Sequence, residues 1–229
     1  MKLPSKIKVA SFDVDPQQTF TPLCPDELPV VGGDEIAGEL NAQAEFADYR
    51  VVSRDAHSPS AYWIATKESP QLSPVEGYPD IDVRWKPHAM VGTKGFELIP
   101  GLKASDYDFQ VLKGIEPQKH PYGACYHDFA DTESTGVIEF LKNKGVTHVL
   151  VGGLATDFCV KKTALQLRAA GFVVILNLAA CRGISDGGVE EAIKEMRQAG
   201  VLFVKTASEL ENILDDVNVA KEIIRRRAY

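Results

Sequence analysis

Gly152–Ala164, GGLATDFCVKKTA, is the stretch on which the reading of this chain turns. It follows Thr147–Val151, a β-branched and apolar run with His148 set in it, which has the composition of a buried strand. Thr156 stands where a helix N-cap is expected, Val160, Ala164 and Leu167 recur at helical spacing, and Gly171 supplies a stop. The pattern predicts a helix over Asp157–Ala170, with Cys159 in its first turn. There, unpaired backbone N–H groups and the positive end of the helix dipole favour a thiolate. The same position also suits a small buried residue packing helix against sheet, because free cysteine is among the most buried residue types.

Working outward, apolar runs alternate with helical segments, as in a sheet of parallel strands covered by helices. Strands are predicted at Ile7–Val14, Tyr49–Ser53, Phe109–Leu112, Thr147–Val151, Phe172–Leu178 and Val201–Lys205. Helices are predicted at Asp34–Phe46, Gly136–Asn143, Asp157–Ala170 and Val189–Ala199, with Ser208 as the N-cap of a further short one. The expectation is a three-layer α/β/α fold, a six-stranded, mainly parallel sheet with helices on both faces, in one domain over residues 1–229. No internal repeat is present. Ile64–Pro87 carries Pro70, Pro74, Pro79 and Pro87 without a period, so residues 58–87 are read as an active-site wall or lid.

A net charge of −7 argues against a nucleic-acid-binding surface. Arg225–Arg227 reads as the solvated end of a last helix, where cations suit the dipole. The four cysteines, Cys24, Cys125, Cys159 and Cys181, are scattered without CxxC spacing, which fits reduced thiols. No stretch has the length and apolarity of a signal peptide or membrane span, so a cytoplasmic protein is expected, with self-association left open.

In open parallel sheets, ligands bind beyond the carboxyl ends of the strands. Reactive side chains gather at those ends. DVDPQQTF places Asp13 and Asp15 on one strand face, Asp15 nearer the end, where an acid can carry protons. RDAHSP holds Asp55 and His57 at a spacing that points both side chains the same way on extended backbone, as two ligands of one metal require. WKPH supplies a second imidazole, His88. Two histidines and a carboxylate suit Zn²⁺, Fe²⁺ or Mn²⁺. The other histidines, His120, His127 and His148, are weaker candidates: His148 reads as structural and His127 lies in a loop that could approach the site. VLKG ends a strand with Lys113, placed to hold an aspartate ionised. Gly152 and Gly153 precede a helix but lack GxGxxG and GxxxxGK[ST], so a phosphate loop ranks below the thiol reading.

Together these segments resemble the isochorismatase-like cysteine hydrolases and, within them, the nicotinamidases. GLATDFCVKKTA is similar to the family's nucleophile segment, VLKG to its lysine segment and VDPQQTF to its strand-one segment. In that last segment an aspartate precedes a phenylalanine by five positions, which selects Asp15 and Phe20. RDAHSP and WKPHAMVGT resemble the metal segments. The resemblance implies hydrolysis of nicotinamide, and of pyrazinamide, to the acid and ammonia by a Cys159–Asp15–Lys113 triad through a thioester, as a step of NAD salvage. It implies an oxyanion hole from the N–H groups of Ala155 and Cys159, with the Leu154–Ala155 peptide cis. It also implies a divalent metal on Asp55, His57 and His88, and a substrate pocket walled by Phe20, Trp85, Leu154 and Tyr126. Three departures stand out: PQQTF in place of the usual polar run, SPSAYW where some nicotinamidases carry a further histidine, and an altered stretch Glu116–Phe129 around the tyrosine. A related amidase acting on an N-carbamoyl or ureido substrate, and a non-catalytic small-ligand binder, are the alternatives.

Overall fold

Side chains alternate along the central strands between two apolar layers. Ala10, Phe12, Val149, Val151, Val174 and Leu176 pack on one face of the sheet, while Val9, Leu150 and Ile175 pack on the other. The computed structural model describes residues 7–215. Its elements are β1 (Val9–Val14), α1 (Ala37–Ala44), β2 (Tyr49–Asp55), β3 (Phe109–Lys113), α2 (Val137–Asn143), β4 (His148–Leu154), α3 (Lys161–Ala169), β5 (Val173–Arg182), α4 (Asp186–Gln198) and β6 (Leu202–Val204). The six strands lie in the order β3-β2-β1-β4-β5-β6, and all five pairings are parallel. Residues of α2, α3 and α4 cover the first face, and Ala42, Phe46 and the segment Ala207–Leu214 cover the second. This is the six-stranded, three-layer α/β/α arrangement expected from the sequence.

Strand order reverses between β1 and β4, so the crevice for a ligand opens there. Asp15 follows β1, and Cys159 follows β4. The glycine pair continues β4 instead of ending it, since close packing requires both. A Cβ on Gly152 would meet that of Ala180 at 2.7 Å, and one on Gly153, whose φ is +137°, would sit 1.9 Å from the Val14 carbonyl oxygen.

Several boundaries differ from expectation for identifiable reasons. The helix expected over Asp34–Phe46 breaks into a 3₁₀ turn, Gly33–Glu35, and α1. β2 and β3 run on to Asp55 and Lys113, because these polar residues stay in register across the ladder. Thr206, not Ser208, precedes the turn Ala207–Glu209, and the Ser208 hydroxyl instead lies 2.7 Å from that of Thr206. The Arg225–Arg227 reading lies outside the described residues. Among the described residues no helix is long and apolar enough to cross a membrane. Segment 58–87 contains no regular element but is cross-linked by backbone bonds, Arg84 N–H to Ser73 O at 2.9 Å and Val75 N–H to Asp82 O at 2.9 Å. It buries Trp63 and Trp85 against the sheet end.

Candidate active site

Asp15 leaves β1 with φ +44°, a left-handed conformation that ends the strand's alternation. The turn separates it from Asp13, which does not share its surroundings. Asp13 is instead buried against Arg50 Nη2 at 2.7 Å and the Tyr107 hydroxyl at 2.8 Å. Ser53, on the neighbouring strand, fixes Asp15 twice. Its hydroxyl donates to Asp15 Oδ1 at 2.6 Å and accepts the Asp15 N–H at 3.2 Å. Lys113 Nζ lies 3.0 Å from Asp15 Oδ2, contacts Asp55 Oδ1 and stands 3.6 Å from the sulfur of Cys159. The lysine is fully buried, so its charge is sustained by these carboxylates. Burial works against it, but Asp15 and Asp55 hold it well above its ordinary value.

Cys159 sits in a π-helical turn, Thr156–Val160, ahead of α3. The expected N-cap is absent: Thr156 makes no capping bond, and Ala155 O accepts the N–H groups of Phe158 and Val160 at 3.1 Å. Asp157 turns away to accept the N–H of Ile184 at 3.0 Å and of Ser185 at 3.2 Å, tying this turn to the start of α4. The Leu154–Ala155 peptide is cis. Burial pushes the Cys159 thiol well above its ordinary value, Asp15 and Asp55 add to this, and Lys113 opposes it without prevailing. These surroundings favour the protonated sulfur, against the pull toward thiolate expected from the helix terminus. Burial also raises Asp15, against the pull of Lys113 and Ser53, which makes it a better base.

Beside the triad lies a cluster of imidazoles. His57 and His88 each commit Nδ1 to a carbonyl, Gly114 O at 3.0 Å and Lys86 O at 2.7 Å. Donation from Nδ1 leaves a lone pair on each Nε2. A side chain at Gly114 would collide with the His57 ring at 2.4 Å. Asp55 Oδ2 is 3.5 Å from His57 Nε2 and 4.0 Å from His88 Nε2. Two ligands ~2.0–2.1 Å from one tetrahedral ion stand about 3.4 Å apart, which the His57 separation matches and the His88 separation exceeds. His120 joins the cluster from the loop after β3, with a ring nitrogen within 4.8 Å of those of His57 and His88. Burial, then the neighbouring His57, holds His88 at about 3 and His120 well below the usual histidine value, so both rings are neutral, as ligands must be. Gln17, one of the residues of the unusual PQQTF run, clamps the Asp55 backbone from both sides, at 2.7 and 2.8 Å.

A narrow cleft, with a cavity volume of about 20 Å³, opens over both groups. Of the expected wall, Phe20 and Trp85 line it, together with Ala155 and Cys159, while Leu154 is fully buried and outside the lining. Tyr126 is not part of the wall. It pairs with Ser134 and packs on the core, and the tyrosine of the cleft is Tyr122. The Tyr122 hydroxyl accepts the Trp85 indole N–H at 3.2 Å and donates to Asp82 at 2.9 Å. Phe158, Leu28 and Ile184 complete the lining, and Phe158 stands edge-on to Trp85 at 5.2 Å. Sequence reasoning missed all four. Phe158 alone carried a signal, its place directly before the cysteine. His127 lies outside, lining a separate cavity with Ile115, Glu116 and Lys119, and His148 is buried in β4.

Residues 14–208 match the isochorismatase domain, and the chain belongs to that family of hydrolases. It is 31% identical over 183 residues to the nicotinamidase/pyrazinamidase of Mycobacterium tuberculosis, covering 77% of this chain and 89% of that one. Among solved structures it is similar to a nicotinamidase–pyrazinamidase from Acinetobacter baumanii, with 30% identity, a TM-score of 0.81, and 91% and 100% of the two chains covered. It is also similar to the pyrazinamidase of Pyrococcus horikoshii in complex with zinc, with 29% identity, a TM-score of 0.67, and coverage of 86% and 98%.

Proposed function

We propose that the protein is a metal-dependent nicotinamidase that converts nicotinamide to nicotinic acid and ammonia, accepts pyrazinamide, and serves NAD salvage. The observation that carries this reading is the placement of Lys113 between Asp15, Asp55 and the Cys159 sulfur, at the floor of an aromatic cleft bordered by imidazoles. Phe20, Trp85 and Tyr122 suit a flat heteroaromatic ring, and the names of the similar proteins supply the ring.

The chemistry follows from the protonation states. Cys159 starts as a thiol, and its proton passes to Asp15 as the sulfur attacks the carboxamide carbon. The N–H groups of Ala155 and Cys159 receive the developing oxyanion. Asp15 then gives the proton to the departing nitrogen, and ammonia leaves with the C–N electron pair while a thioester remains. A water attacks the thioester and yields its proton to Asp15, and the sulfur recovers that proton as the acid departs. Lys113 holds Asp15 ionised between these transfers. A divalent ion held by Asp55, His57 and His88, with Zn²⁺ or Fe²⁺ foremost and Mn²⁺ allowed, would supply a Lewis-acidic position for the pyridine nitrogen and so orient the carboxamide over the sulfur. A carbamoyl or ureido substrate would leave the buried imidazoles without a role.

The test is ammonia release from nicotinamide by the wild type and by Cys159→Ala, each with and without a chelator. Turnover by the wild type that fails in Cys159→Ala and after metal removal is expected. Undiminished turnover in Cys159→Ala would rule out the thioester route.

A further inference from the structure

His120 has a chemistry that neither the triad nor the Asp55–His57–His88 reading uses. It is 4% exposed, and neither of its ring nitrogens has a hydrogen-bond partner. Leaving such a buried polar atom unsatisfied costs about 1–3 kcal/mol. The backbone on either side of the ring is held in place. Its backbone N–H donates to Asp80 O at 2.8 Å, and the carbonyl of the next residue, Pro121, accepts from Lys113 Nζ at 3.2 Å. The fully buried indole of Trp63 lies against it at 4.6 Å, and the same indole stands 4.6 Å from His57 and 4.9 Å from His88. Trp63 thus backs all three imidazoles, whose nitrogens gather within 4.8 Å of one another.

We propose that His120 is a direct third imidazole ligand of the metal, delivered by the loop after β3, an assignment that rests on the metal-dependent reading above. An ion on that side of the cluster gives a partner to one nitrogen of a ring that has no hydrogen bond at either. The ring joins the His57 and His88 nitrogens in a set of three imidazoles, which the Asp55 carboxylate borders on the side of His57 and His88. Such a set selects borderline ions such as Zn²⁺, Fe²⁺ or Co²⁺ over Mg²⁺ or Ca²⁺. His120 also fastens the site to two other parts of the fold, segment 58–87 through Asp80 and the triad lysine through Pro121.

The experiment titrates Co²⁺ into chelator-stripped protein and follows its visible ligand-field absorption, for the wild type, His88→Asn, His120→Asn and, as a control outside the cluster, His127→Asn. Loss of groups that merely orient a ligand costs 10–100-fold in affinity, so loss of a ligand itself is expected to exceed ~100-fold in His120→Asn and to change the spectrum. His127→Asn is expected to match the wild type. In the Zn²⁺-loaded wild type, ¹⁵N spectra of the imidazoles are expected to show three perturbed rings, a readout that needs no variant to fold. Two perturbed rings, or a His120→Asn variant with wild-type affinity and spectrum beside a defective His88→Asn, would overturn the assignment and leave the metal reading standing. A wild type that takes up neither Co²⁺ nor Zn²⁺ would overturn both.

Discussion

Asp55 and Lys113 are register partners on the neighbouring parallel strands β2 and β3, and their side chains meet as a buried ion pair. The second oxygen of the same carboxylate faces His57 and His88. One aspartate therefore borders both the triad and the imidazole cluster, and the strand ladder itself sets that shared position. Because Lys113 also pairs with Asp15, one ammonium is shared by two carboxylates that the fold has taken out of water.

Lys113→Met tests that balance. The substitution keeps much of the side-chain volume but strands Asp15 and Asp55 without their cation. Removing one partner of a buried pair costs about 3–5 kcal/mol. A loss of that size in urea unfolding is expected, along with loss of ammonia release. A stability change below ~1 kcal/mol would show that the carboxylates do not depend on Lys113.

Ser53→Ala tests Asp15 as the base. Burial raises Asp15 above its ordinary 3.8, while Lys113 and then the Ser53 hydroxyl pull it back down. Without that hydroxyl Asp15 binds its proton more tightly. Its ionised form, which must accept the thiol proton, is then lost at a higher pH on acidification. The acid limb of kcat/KM is expected to move to higher pH by about 0.7, the equivalent of one hydrogen bond of ~1 kcal/mol. An unmoved limb would place the base elsewhere.

Tyr122→Phe distinguishes the observed wall from the expected one. The lost hydroxyl joins the Trp85 indole to Asp82, so Trp85 loses its anchor at the cleft. A net 0.5–1.5 kcal/mol corresponds to about a 2- to 10-fold rise in KM with kcat preserved. Tyr126→Phe is expected to leave both constants unchanged, because Tyr126 packs on the core away from the cleft. Steady-state kinetics on nicotinamide decide between the two.

What was legible in the sequence followed local periodicity. The strand before Gly152, the apolar spacing of Val160, Ala164 and Leu167, and the Asp55-x-His57 alternation each record one backbone geometry repeated over a few residues. His120 and Tyr122 come from a loop with no period. Their positions depend on bonds to Asp80, Asp82 and Lys113, made between residues 8 to 40 positions apart along the chain. The π turn was hidden differently. Thr156 and Asp157 are N-cap residue types, but Asp157 spends its carboxylate on Ile184 and Ser185, a choice only tertiary packing makes.

Gly153 offers the severest test of how the site edge is built. Its φ of +137° is open to glycine and strained for other residues. An added Cβ would also lie 1.9 Å from the Val14 carbonyl oxygen, so β1 and β4 would have to part directly beneath Asp15 and Cys159. Backbone cannot yield as a flexible side chain can. Gly153→Ala is therefore expected to lose more than ~4 kcal/mol, or to fail to accumulate as folded protein. Gly187, in the first turn of α4, has no atom within 4 Å of where an added methyl would sit and no positive φ. There, Gly187→Ala is expected to stabilise by up to about 1 kcal/mol, through the lower entropy of the unfolded chain. Urea midpoints of the two variants should move in opposite directions. A tolerated alanine at 153 would mean that β1 and β4 separate at small cost, and that the spacing of Asp15 and Cys159 is set by something other than their strands.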